Sequence, residues 1–219
     1  MKLRTRGISG TRNQAESERE RAHRVIARKA AAEGIVLLEN NGVLPLKQGS
    51  KVALYGGGAR HTIKGGTGSG SVNNRSNVSI DEGLRNAGFT VTTDAWLDAY
   101  DAAYGQSYAE WKAYIYEISE PGNFDSLYRA HASHPMQMPK GSAITKTEAA
   151  DAIYVISRIS GEGADRKAEP GDYYLSEQEE EELKAITECY DNTIVILNVG
   201  GVMDVSFLEK YNIAALVML

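Results

Sequence analysis

One carboxylate, Glu162, stands between two glycines in the run Ser157-Arg158-Ile159-Ser160-Gly161-Glu162-Gly163-Ala164-Asp165-Arg166. The run follows directly on Ala152-Ile153-Tyr154-Val155-Ile156, a continuous apolar stretch that reads as a buried strand. Glycines there let the backbone turn sharply and come close to a ligand. A lone acid on such a loop, with Asp165 and Arg166 beside it, suits proton transfer to or from a bound substrate.

A second group of residues has the composition of a ligand cradle. Gly56-Gly57-Gly58 follows the short apolar run Val52-Ala53-Leu54-Tyr55, and Gly65-Gly66-Thr67-Gly68-Ser69-Gly70-Ser71 comes soon after. Phosphate binding is the first chemistry such loops suggest. Yet the second cluster lacks the Gly-Lys-Ser or Gly-Lys-Thr ending of a P-loop, and His61 stands where a dinucleotide fingerprint needs its third glycine. The same glycines can open backbone amides and free space beside a sugar ring. There is no serine nucleophile elbow, because Ser160 precedes Gly161-Glu162-Gly163 instead of sitting between glycines.

The elements that must position these loops can be read along the chain. Residues 1–20 form a polar N-terminal segment. Ala22, Val25, Ile26 and Ala30 then recur at helical spacing, and the apolar face continues to Val36 and Leu37, so a helix is expected to run towards Glu39. Strands are expected at 51–55, 89–92, 152–156, 193–197 and near the end of the chain. Capping boxes at Ser79/Glu82 and Ser176/Glu179 open two helices. The acidic run Glu177 to Glu182 complements the dipole at the start of the second helix and reads as a solvated face, not a calcium site. Between 95 and 145 lies a poorly defined insertion. Tyr100, Tyr104, Tyr108, Trp111 and Ile115 mark one helix face there, read as core and not as a sugar platform. After Pro121 a loop with a helical turn or two is expected, and His131 and His134 lack a third candidate to form a metal site.

Unbroken apolar strands alternating with helices predict an α/β fold, a mostly parallel sheet with helices on both faces. The chain reads as cut off after its last strand, with an α/β domain over 21–219. In such sheets ligands sit at the carboxyl ends of the strands, so the glycine clusters and Glu162 are expected to face one cleft. With 219 residues and a net charge of −5, nothing calls for nucleic acid or an anionic membrane as a partner. No apolar run approaches the roughly 20 residues that span a bilayer. The single cysteine, Cys189, excludes an intrachain disulfide and points to a reducing, cytoplasmic setting. No cofactor and no metal are called for.

The run from Ala27 to Asn40, continuing through Gly42-Val43-Leu44-Pro45-Leu46, resembles the start of the α/β sandwich domain of glycoside hydrolase family 3. Lys64-Gly65-Gly66-Thr67-Gly68-Ser69-Gly70 is similar to that domain too, and so, most specifically, is Gly161-Glu162-Gly163-Ala164-Asp165-Arg166. Tyr174-Leu175-Ser176 and the strand ending at Gly200-Gly201 complete the resemblance. It implies the sandwich domain of a retaining β-glucosidase-like enzyme acting on a carbohydrate. On this basis Glu162 inherits the role of general acid/base. The nucleophilic aspartate would come from a (β/α)8 barrel, for which a chain this short has no room beside the sandwich. Arg158, Asp165 and Arg166 would brace the loop or touch the sugar, and Lys64, Thr67, Gly68 and Ser69 would line the cleft. The isolated chain is then expected to hydrolyse nothing. The competing reading is a non-catalytic sugar- or nucleotide-binding module in which Glu162 only ties down its own loop.

Overall fold

The computed structural model describes residues 15–66, 70, 72, 74–160 and 167–219. The chain divides at Ile35 into two compact units. In the first, helix α1 (Glu18–Gly34) begins at a capping box in which Ser17 and Glu20 satisfy each other's backbone N–H groups.

The second unit is built on a six-stranded sheet in the order β1-β6-β5-β4-β2-β3. Its strands are β1 (Val36–Asn40), β2 (Lys51–Tyr55), β3 (Thr90–Val91), β4 (Asp151–Arg158), β5 (Asn192–Val199) and β6 (Ala215–Met218). All neighbouring pairs are parallel except β1 with β6. β4 pairs with β5 along its whole length, from Asp151↔Asn192 to Arg158↔Val199. Ala152 to Ile156 are buried without a break. Successive strand side chains point to opposite faces, so unbroken burial requires cover on both sides. The fold is the expected α/β sandwich.

One element departs from the sequence reading. The helix expected to run towards Glu39 stops at Gly34, and Val36–Asn40 is instead the edge strand β1. Glycine is a poor helix former, and Val36-Leu37-Leu38 finds backbone partners in β6, at the other end of the sequence (Val36↔Met218 to Asn40↔Ala215). All five of its side chains are exposed.

The helices of this unit are α2 (Ile80–Asn86), α3 (Asp94–Ile118), α4 (Phe124–Ser133), α5 (Glu177–Cys189) and α6 (Phe207–Lys210). Both predicted capping boxes form, at the starts of α2 and α5. The aromatic face expected as core behaves so at its ends, where Tyr100 and Ile115 are buried. In the middle Tyr104 stacks on His61, with ring centroids 4.0 Å apart, and Tyr108 is 44% exposed. Beyond Pro121, α4 is longer than the expected turn or two. His131 meets the edge of Trp111, and His134 that of Tyr114. Among the described residues no group of His, Cys, Asp or Glu side chains could hold a metal ion, and no helix is long and apolar enough to cross a membrane.

The acidic start of α5 is not wholly solvated. Glu182 is only 8% exposed and accepts hydrogen bonds from Tyr154 Oη (2.8 Å) and Gln178 Nε2 (2.7 Å). Burial pushes its carboxyl above the ordinary glutamate range, partly opposed by hydrogen bonds from Gln178, Tyr154 and the Gly141 backbone. A carboxyl with a higher pKa folded than unfolded binds its proton more tightly in the native state. Stability contributed this way is present at acid pH and declines as pH rises through the window above ~4.3, the unfolded value. Glu182→Gln is expected to flatten that decline. Urea midpoints across the range from acid to neutral pH measure it, and an unchanged slope refutes it.

Candidate functional site

Since β2, β4 and β5 are parallel, the loops that follow Tyr55, Arg158 and Val199 all leave the same edge of the sheet. Three close approaches bind these loops together. Gly56, at φ +92°, lies so near the backbone of Val155 that a side chain on it would overlap the Val155 carbonyl oxygen. The chain then makes a tight turn at Gly57–Ala59 and runs on to Ile63. There Asn198, near the end of β5, grips the backbone from the side. Its Oδ1 accepts from Ile63 N–H at 2.6 Å and its Nδ2 donates to Ile63 O at 2.9 Å. That pairing imitates a strand neighbour, and it fixes the residue immediately before Lys64.

The third approach surrounds Ser160. A Cβ on Gly66 would come within 2.8 Å of Ser160 O, and one on Gly200 within 3.2 Å of Ser160 Cβ. The glycine-rich loop, the start of the Glu162 loop and the end of β5 therefore converge on one point. This convergence depends on glycine at both contacts. Lys64 is exposed and its Nζ donates to Val72 O at 3.4 Å. Thr67, Gly68, Ser69, Glu162, Asp165 and Arg166 lie outside the described residues.

Arg158, the last residue of β4, is 7% exposed, and its guanidinium is fully occupied. Nη1 and Nη2 each donate to a carboxylate oxygen of Glu179 at 2.6 Å. The remaining bonds go to the carbonyls of Asp172 (2.9 Å), Tyr174 (3.3 Å) and Ser157 (2.9 Å). With its donors so spent, this side chain braces the loop's surroundings and offers none to a sugar.

Just before Ile63, the loop is anchored by charge. Arg60 donates to Asp81 (2.9 Å), Asp98 (2.7 Å), Asp101 (2.9 Å) and Asp94 (3.3 Å), while Arg85 also holds Asp81 (2.7 Å). His61 Nε2 lies 2.8 Å from Asp101. Burial alone lowers the Arg60 pKa, but the bonds to Asp98, Asp101 and Asp81 outweigh it and the net shift is upward. A cleft of about 350 Å³ beside this cluster is lined by Arg60, Thr62, Asn77, Ser79, Asp81 and Glu82. A larger one, about 500 Å³, lies along the start of α5, between Tyr174, Glu180 and Lys210. Of the candidates among the described residues, neither Lys64 nor Arg158 lines either cleft.

Sequence reasoning missed Asn198 and Glu179. A polar residue closing the otherwise apolar strand Thr193–Leu197 was the available signal for the first. Glu179 was hidden in the acidic run, where its capping role accounted for it. Asn198→Ala strands both Ile63 backbone groups in a partly buried setting, and is expected to cost about 1–3 kcal/mol. Urea denaturation measures this, and a loss below about 0.5 kcal/mol would show that water replaces the amide without penalty.

Comparison with known proteins agrees with this geometry. The chain is 32% identical over 211 residues to β-glucosidase A of Butyrivibrio fibrisolvens, the match taking in 86% of the chain and 24% of that protein. It is 31% identical over 190 residues to a β-glucosidase of Ruminococcus albus, covering 85% of the chain and 19% of the relative. The structure of β-glucosidase 3B from Thermotoga neapolitana in complex with glucose superposes with a TM-score of 0.64 at 32% identity, over 90% of this chain and 27% of that one. The chain thus spans about a quarter or less of the length of the two curated relatives. The glycosyl hydrolase family 3 C-terminal domain matches residues 35–219. Sequence and fold agree: this chain belongs to glycosyl hydrolase family 3 and carries its C-terminal domain.

Proposed function

We propose that the protein containing this chain is a retaining β-glucosidase, in which this domain supplies Glu162 as general acid/base to a cleft completed by a (β/α)8 barrel. The observation that carries the reading is the convergence at Ser160. The loop bearing Glu162 starts where the glycine loop and the end of β5 meet, at the carboxyl edge where parallel sheets bind ligands. Relatives at 31% and 32% identity are β-glucosidases, and the Thermotoga neapolitana enzyme has been solved with glucose.

Retention requires two carboxyl groups roughly 5 Å apart, one attacking the anomeric carbon and the other protonating the leaving oxygen. Glu162 would hold that proton in the first half-reaction and take one from water in the second. Closing a sugar and a second domain over the loop would raise its pKa by removing water, as the acid step needs. Lys64 and Thr67–Ser69 would line the sugar side, with Asp165 and Arg166 supporting the loop. The whole protein would work in the cytoplasm, where Cys189 of this chain stays reduced. The isolated chain, without a nucleophile, would be inactive. Hydrolysis of aryl β-glucosides by the whole protein and its Glu162→Gln variant tests the assignment, and a variant as active as the parent on every substrate overturns it.

A further inference from the structure

We infer that the Arg158–Glu179 pair is a positioning element for the acid/base loop, an inference that rests on the proposed role of Glu162. Arg158 stands immediately before residue 159, where that loop begins. Its guanidinium donates to the carbonyls of Asp172 and Tyr174, which follow that loop in the sequence. Those carbonyls belong to a turn, residues 167–174, that is bonded to itself. Lys167 N–H donates to Asp172 Oδ2 at 2.8 Å, Glu169 N–H to Lys167 O at 2.8 Å, and Tyr173 N–H to Lys167 O at 3.2 Å. The turn is also tied to the sheet edge, because Asp204 N–H donates to Tyr173 O at 2.8 Å. One side chain therefore ties the residue before the span 159–166 to the turn that follows it.

Glu179 sets the direction of that side chain. Its carboxylate takes both Nη groups of Arg158 at 2.6 Å, and Oε2 also accepts Ser176 N–H at 2.8 Å. The glutamate that caps α5 thus locks the guanidinium to the helix N-terminus, in a setting where the two side chains are 8% and 18% exposed. A bidentate fork of this kind fixes angle as well as distance, which a lysine ammonium would not do. Proton transfer to a leaving oxygen is sensitive to displacements of about 1 Å. Loosening the staple is expected to weaken acid catalysis more than sugar binding.

The test uses the whole protein with Arg158→Lys, Glu179→Gln and Glu162→Gln made separately, assayed on aryl β-glucosides with good and poor leaving groups. For the two staple variants kcat/KM on the poor leaving group is expected to fall roughly tenfold to a hundredfold, with a several-fold smaller loss on the good one. Glu179→Gln keeps an oxygen for the cap and serves if Arg158→Lys does not fold. Equal losses on both substrates, or no loss, while Glu162→Gln shows the leaving-group dependence, overturn the staple's role alone. If Glu162→Gln itself shows no such dependence, the acid/base reading fails and the inference with it. If neither staple variant folds, the pair belongs to the fold only and the inference is overturned.

Discussion

Glu162→Gln in the whole protein is expected to lower kcat on a β-glucoside with a poor leaving group by about 10²–10⁴-fold, the usual worth of a positioned general acid. The reason lies in what the leaving oxygen needs. An alkoxide or weakly acidic phenoxide leaves badly unless it is protonated as the glycosidic bond breaks, and glutamine has no proton to give. A strongly acidic phenol leaves unaided, so the first half-reaction should be nearly intact with dinitrophenyl β-glucoside. The second half-reaction would still suffer, because water attacks the glycosyl-enzyme poorly without a base. Added azide, already an anion, needs no deprotonation and should restore turnover with the activated substrate by forming a β-glycosyl azide. Azide rescue and the leaving-group split together identify a residue serving as acid and base in turn. A uniform loss without rescue would assign Glu162 to binding or loop support.

The second large effect concerns stability. Gly56→Ala is expected to destabilise the fold by roughly 4 kcal/mol or more, from a positive φ that disfavours L side chains and from overpacking against a strand. Gly56 has φ +92°, and its new Cβ would sit 2.9 Å from Val155 N as well as overlapping Val155 O. Both atoms are backbone within β4, where they cannot swing aside. Gly83→Ala is the matched control. It lies within α2, with nothing inside 4 Å of an added Cβ and no positive φ. There the same chemical change should stabilise by about 0.5–1 kcal/mol, the helix-interior difference between glycine and alanine. Urea midpoints of the two variants should therefore move in opposite directions. A shift of the same sign in both would mean that local backbone geometry does not decide these positions.

What could be read before folding was whatever the chain says over short range. Ser79 with Glu82 and Ser176 with Glu179 announce helix starts because both partners of each box lie within one turn. Ala152–Ile156 and Ile194–Leu197 announce strands because burial on two faces favours an unbroken apolar run. Val36–Asn40 misled because its apolar residues continue the helical spacing of α1, while the strand that claims them lies at the other end of the sequence. Tertiary pairing overrode local pattern there. The candidate site divides the same way. Its loops were visible as glycine clusters and one carboxylate. Asn198 reaching Ile63 across 135 positions, and Glu179 reaching Arg158 across 21, leave no periodic trace in the sequence.

Asn198 has an implication for how such a domain can diversify. By clasping the main chain at Ile63, it ends the mechanical influence of the scaffold just before the glycine-rich stretch begins. Apart from Gly66, whose contact with Ser160 leaves no space for a side chain, changes of length or composition downstream of Lys64 need not be transmitted to β2. That stretch can then be edited while the sheet beneath it stays as it was.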